Sequence, residues 1–127
     1  MDQISNLLIS LKNGGMAEKT SVTVPYSKIK FDIAELLAKK GFTGSATKKG
    51  KKSRYLEIPL LYRDGAPRIT GVKRVSKPSR RMYQGFKEMY PFKQGIGMKV
   101  FSTSKGILAD MDAKKEKIGG EVLFAIW

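Results

Sequence analysis

The sequence predicts an α+β fold in two small subdomains: an N-terminal α-β-α-β-β unit over residues 1–66, and a C-terminal, mainly β unit with a short helix over residues 67–127. Three observations carry this. Apolar residues recur twice at helical spacing early in the chain, in Ile4-Leu7-Leu8-Leu11 and Ile29-Ile33-Leu36-Leu37. Polar and apolar residues alternate in Ser21-Val22-Thr23-Val24 and in Arg54-Tyr55-Leu56-Glu57-Ile58, as half-buried strands do. Finally, Val122-Leu123-Phe124-Ala125-Ile126-Trp127 is an unbroken apolar run, which suits a strand buried on both faces.

In the first subdomain, Asn13-Gly14-Gly15 reads as the stop of the first helix. Lys12 and Asn13 then stand at its C-terminal end, where a cation complements the helix dipole; an RNA contact is the other reading. Ser27 is an N-cap candidate for the second helix, Lys28, Lys30, Lys39 and Lys40 point away from its apolar face, and Gly41 ends it. Phe42 to Thr47 reads as a weak strand, and Lys48-Lys49-Gly50-Lys51-Lys52 as a mobile charged tip. Such a tip serves either an RNA backbone or solubility. Pro59 cannot donate to a ladder, so an edge or a bulge is expected there, and Asp64-Gly65 is a turn that closes the subdomain.

Arg68 to Val75 is expected to be a strand with Ile69 inward. The run from Lys73 to Tyr83 mixes Lys and Arg with one aromatic residue. Cations neutralise phosphates, and an exposed ring stacks on an unpaired base for roughly 1–3 kcal/mol. Core packing is the alternative role for Tyr83. Phe86 to Phe92 is a connector interrupted by Pro91, and Gln94-Gly95-Ile96-Gly97 is a turn without evident chemistry. Asp110 is expected to cap a short helix reaching about Lys117, with Gly119-Gly120 ending it and Trp127 anchoring the terminus.

Composition narrows the function classes. Lys and Arg number 25 against 11 Asp and Glu in 127 residues, a net charge of +14, which calls for a polyanionic partner. Hydrophobic residues make up 41% of the chain, too many for a disordered basic tail. With no Cys and no His, disulfides, thiolate metal sites and the commonest general base are excluded, and no cofactor is implied. The sequence has no apolar run long enough to span a membrane and no signal-peptide pattern, so a soluble, intracellular protein is expected.

The most chemically loaded stretch is Gly97-Met98-Lys99-Val100-Phe101-Ser102-Thr103-Ser104-Lys105-Gly106-Ile107-Leu108, an apolar strand running into a hydroxyl-rich turn closed by glycine. Three adjacent hydroxyls, an ammonium and exposed backbone N–H groups can grip a phosphate or ribose. An acyl-transfer reading of Ser102-Thr103-Ser104-Lys105 as Ser-x-x-Lys fails, because its companion motifs are absent and Gly106 follows where a helix should open. Asp110 and Asp112 are two carboxylates followed by lysines, a helix-capping pattern rather than a magnesium site. A nonspecific, chromatin-like nucleic-acid binder is the remaining rival; it predicts equal affinity for DNA and RNA.

Over nearly its whole length the chain resembles the bacterial small-subunit ribosomal protein S-eight family. The most specific match is the stretch from Gly97 to Leu108 with Ala113-Lys114 beyond it. Lys12-Asn13-Gly14, Pro25 to Lys30, Arg74 to Pro78, Arg81-Met82-Tyr83 and Gly119-Gly120-Glu121 support it. The resemblance implies no enzyme but a cytoplasmic protein of the small ribosomal subunit. It would bind the central domain of small-subunit rRNA early in assembly, lie beside other small-subunit proteins, and by analogy repress its own operon through the messenger RNA. It also implies RNA contacts from Ser102, Thr103, Ser104, Lys105 and Gly106, with Gly120 and Glu121 beside them and Ser76, Lys77, Arg81 and Tyr83 nearby. Lys12, Asn13, Ser27, Lys28 and Lys30 would face a second RNA segment. Two departures stand out: Phe101 replaces an aliphatic residue, and Leu11-Lys12 replaces Ile-Arg, giving a point charge instead of a bidentate fork.

Overall fold

The computed structural model describes residues 2–127, apart from the side chain of Gln94, and folds them as α+β. The chain divides into two units, Met1–Thr70 and Gly71–Trp127. In the first, helix α1 (Gln3–Met16) is capped by the Asp2 carboxylate, which accepts the Ser5 N–H at 2.8 Å. Strand β1 (Ser21–Pro25), helix α2 (Lys28–Lys39), β2 (Thr47–Lys49) and β3 (Tyr55–Pro59) follow, with sheet order β1-β3-β2, all antiparallel. Ile4, Leu7, Leu8 and Leu11 of α1, Ile33, Leu36 and Leu37 of α2, and Val22, Val24, Leu56 and Ile58 of the sheet are buried, as their spacing requires.

Several expectations for this unit are corrected. Helix α1 does not stop at Asn13-Gly14-Gly15 but runs through it, and the chain turns out only at Glu18, where φ is 56°. A Cβ on Gly14 would lie 2.4 Å from Cγ1 of Val22, and one on Gly15 would lie 3.1 Å from Cβ of Pro67. These glycines let neighbouring chain approach the helix; their low helix propensity, about 1 kcal/mol each, is the cost. The strand expected from Phe42 is reduced to a bridge between Thr43 and Leu60, and β2 forms later. Lys48 and Lys49 therefore leave the mobile tip. Lys49 pairs with Glu57 at 3.0 Å and the Lys48 ammonium lies 4.4 Å from the Tyr26 ring centre. Pro59 ends the central strand beyond the last residue paired with β2, where the pairing slips by one residue to the Thr43–Leu60 bridge and the Pro59 carbonyl accepts the Gly44 N–H at 3.0 Å, so its missing N–H falls at an irregularity, as expected.

Strands β4 (Tyr62–Arg63) and β5 (Ala66–Pro67) close the unit as a hairpin across Asp64-Gly65. Both turn residues have positive φ, 53° and 81°, the signature of a type I′ turn. Ile69 is buried, but β6 covers only Val72–Arg74, because the chain passes between units at Thr70 and Gly71.

The second unit is a five-stranded antiparallel sheet. Its path is β6 (Val72–Arg74), β10 (Gly120–Ile126), β8 (Met98–Thr103) and β9 (Gly106–Ala109), with β7 (Tyr83–Gln84) also pairing on β10. Strand β10 is central and buried from Val122 to Ile126, and a bulge between Val122 and Phe124 shifts its register. Phe101, unexplained in the sequence, is fully buried in a cluster with Met89, Ala113 and Val122. Helix α3 (Asp110–Lys115) has Ala109, not Asp110, at its N-cap position, with no side-chain capping bond from it. Asp110 is instead the first helical residue, and its buried carboxylate accepts the N–H groups of Met111 at 2.8 Å and Lys99 at 3.3 Å, which fastens α3 to β8. Burial holds that carboxyl above its ordinary range.

Candidate nucleic-acid interface

The hydroxyl-rich stretch is a tight hairpin between β8 and β9, in which Thr103 pairs with Gly106 and Ser102 with Ile107. Ser104 and Lys105 form its tip at negative φ, while Gly106 sits at φ 104°, the pattern of a type I turn closed by a glycine bulge. The Thr103 hydroxyl donates to the Gly106 carbonyl at 2.8 Å and accepts the Lys105 N–H at 3.1 Å. That leaves Ser104, Lys105 and Gly106 exposed, with Ser102 half-buried below them. The Lys105 ammonium rests 3.1 Å from the Glu116 carboxylate in an open, solvent-screened pair that phosphate can displace.

Strand register gathers further residues beside the hairpin. Glu121 is opposite Ser102 on one side and opposite Tyr83 on the other, so the three side chains form a row on one face of the sheet. Tyr83 is 69% exposed, which removes the core-packing alternative and leaves its ring free to stack. Glu121 holds Arg81 at 3.1 Å and thereby aims a guanidinium at the same edge. Gly120 is required by contact: a Cβ there would lie 2.3 Å from the Ser102 carbonyl oxygen and push the hairpin off the sheet. Gly119 is also tightly placed: a Cβ there would lie 2.6 Å from the carbonyl oxygen of Gln84.

The basic run forms an exposed loop between β6 and β7, which lie end to end along the same edge of β10. Its neck is Ser76. That residue is fully buried, so its expected RNA contact is corrected to an internal role: its hydroxyl accepts the Met82 N–H at 2.8 Å and donates to the Met82 carbonyl at 3.2 Å. Lys77 and Arg80 bridge across the loop, and every residue from Lys77 to Tyr83 is exposed. The sequence carried no signal for this division of labour, because a serine that pins and a serine that contacts look alike.

A family profile described as Ribosomal protein S8 matches residues 2–127. The chain belongs to the ribosomal protein S8 family. Among its relatives, the small ribosomal subunit protein uS8 of Persephonella marina is 42% identical over 134 residues, spanning 99% of this chain and 98% of that one. The proteins of the same name from Ehrlichia canis and Bradyrhizobium sp. (strain ORS 278) are 38% and 41% identical, each over 99% of this chain and 97% of the relative. The S8 family is structural and not catalytic. No helix of the described residues is long and apolar enough to cross a membrane.

The remaining residues expected to contact RNA lie in the first unit of this S8 protein. Lys12 and Asn13 are exposed, and with α1 extended to Met16 its last turn has no basic residue, so the capping role for Lys12 is overturned. Asn13 lines an open groove of about 450 Å³ with Ser10, Lys19, Ser21 and Thr23. The Ser27 hydroxyl accepts the Lys30 N–H at 3.2 Å as the N-cap of α2, and Lys28 pairs with Asp32 at 3.0 Å. Lys30 is corrected: it is only 6% exposed, and burial depresses its pKa. Little of its side chain is open to an RNA phosphate.

Proposed function

We propose that this protein, a structural constituent of the small ribosomal subunit acting in the cytoplasm, binds the central domain of small-subunit rRNA through the β8–β9 hairpin and supports that domain's assembly. The observation that carries the reading is the Thr103-locked turn, which presents Ser104, Lys105 and Gly106 beside the row of Ser102, Glu121 and Tyr83. Duplex RNA displays 2′-hydroxyls and base edges in a wide, shallow minor groove, where short hydroxyls and a bare glycine approach closely. Lys77, Arg80 and Arg81 of the basic loop and lysines of the first unit supply salt-dependent affinity, and the fitted turn supplies selectivity. Lys12, Asn13 and Lys28 face a second RNA segment, neighbouring small-subunit proteins complete the surroundings, and the hairpin also recognises a messenger RNA of its own operon that imitates the ribosomal site.

Competition binding at ~0.2 M salt tests this, with a central-domain rRNA fragment set against scrambled RNA and duplex DNA of equal length. The reading expects the central-domain fragment to win by at least a hundredfold. Equal binding of all three, weakening together with salt, would mark a nonspecific polycation.

A further inference from the structure

The turn at Gln94 to Gly97 and the connector before it carried no chemistry in the sequence, yet the fold builds a charged cluster there. Phe92 and Trp127 stand 5.8 Å apart between ring centres, tilted by 50°. The Lys93 ammonium lies 4.7 Å from the Trp127 ring centre and 5.7 Å from that of Phe92, and the Lys99 ammonium lies 5.8 Å from Phe92. Lys73 and Lys99 are both opposite Ala125, one on each side of β10, so they share a row and a face of the sheet.

This cluster is held in place by the backbone. Gly71 and Trp127 exchange backbone hydrogen bonds of 3.1 and 3.0 Å, and a Cβ on Gly71 would lie 2.5 Å from the indole ring. A Cβ on Gly97 would lie 2.8 Å from both Phe92 and Trp127. Only glycine at both positions lets the rings seat this closely.

Cations on this protein are held in two ways. Lys28, Lys49, Arg81 and Lys105 are each matched by a carboxylate. Lys48, Arg68 and Lys114 each lie over a single ring, whereas Lys93 lies over both Phe92 and Trp127 and shares Phe92 with Lys99. Lys93 and Lys99 are steadied by aromatic faces, which orient an ammonium without cancelling its charge. Asp110, which bears on Lys99, is buried and committed to two backbone N–H groups.

We propose that Lys73, Lys93 and Lys99, set around Phe92 and Trp127, form a second binding site of this unit, for the phosphates of an RNA backbone. The site lies at the opposite end of β8 from the hairpin, a span of about 17 Å at ~3.4 Å per residue. The ring faces are occupied by ammonium groups, so the ligand is phosphate and not a stacked base. A protein partner fits less well, because the cores of protein interfaces are depleted in lysine. The inference rests on the RNA-binding reading above and extends it: the bound RNA continues past the hairpin along the sheet.

Trp127 is the only tryptophan, so its fluorescence reports this site alone. We would measure iodide and acrylamide quenching of Trp127 with and without saturating small-subunit rRNA, with complex formation verified by filter binding. The proposal expects bound rRNA to cut iodide quenching severalfold, and the Lys73→Gln, Lys93→Gln, Lys99→Gln triple variant to flatten the slope of log affinity against log salt by about 2, at ~0.7 per phosphate lost. Complex formation with unchanged quenching and an unchanged slope would overturn it and leave the hairpin reading standing. A triple variant with normal rRNA affinity that no longer joins reconstituted subunit particles would mean a protein occupies the surface, and overturns it as well. Failure of the wild type to bind rRNA at all would sink both readings.

Discussion

The hydroxyl of Thr103 donates to the carbonyl of Gly106 at 2.8 Å while accepting the N–H of Lys105 at 3.1 Å, so one side chain sets the shape of the whole turn. Thr103→Val keeps the branched shape and removes both bonds. Because the residue is near the surface, the stability cost should stay near 1 kcal/mol. RNA affinity should nevertheless fall tenfold or more, with an unchanged salt slope, as measured by filter binding across a salt series. A loss that tracks the salt slope would assign Thr103 no part in shape.

Two glycines separate conformational from steric need. Gly106 has φ 104° and nothing within 4 Å of a built Cβ, so Gly106→Ala meets only backbone strain, roughly 1–2 kcal/mol. Gly120→Ala drives a methyl to 2.3 Å from the Ser102 carbonyl oxygen, which forces β8 and β10 apart. Thermal denaturation should therefore rank Gly120→Ala well below Gly106→Ala, while both lose RNA binding.

Ser76→Ala removes the buried hydroxyl that pairs with the Met82 N–H and carbonyl, and frees the neck of the basic loop. The expected cost is about 1–3 kcal/mol, visible as a drop of several degrees in Tm. RNA affinity should fall through loop disorder, so Ser76→Thr, which keeps the hydroxyl, should recover part of it. Full affinity in a destabilised Ser76→Ala protein would detach the loop from RNA binding.

Lys30 gives a pH test. Its pKa is depressed in the folded protein by burial, so in the alkaline range just below the ordinary lysine value of 10.5 the unfolded chain holds more protons than the folded one. Stability from this group therefore rises as pH climbs through that window and is lost as pH falls through the depressed value. Lys30→Met should be at least as stable as wild type at neutral pH and should flatten that rise in urea unfolding, with rRNA affinity within about threefold. A much larger loss of affinity would return Lys30 to the contact surface.

The sequence revealed helix faces, alternating strands and the hydroxyl turn, because each is a local pattern that the packed chain keeps. It misled where a residue answers to something distant. Gly14 and Gly15 read as a stop because their true partners, Val22 and Pro67, lie in other elements. Lys30 looked solvated from its charge alone, and Ser76 looked like a contact until its hydroxyl was found on Met82. The Phe92–Trp127 cluster could not be foreseen, since it joins the connector to the last residue of the chain.

The most direct test of the central claim is the amide spectrum of isotope-labelled protein titrated with the central-domain rRNA fragment. The account predicts the largest shifts at Ser102 through Gly106, with Gly120, Glu121 and Tyr83 next, and little change at the buried amides of α1. Shifts spread evenly over the exposed lysines, with the hairpin amides unmoved, would contradict it.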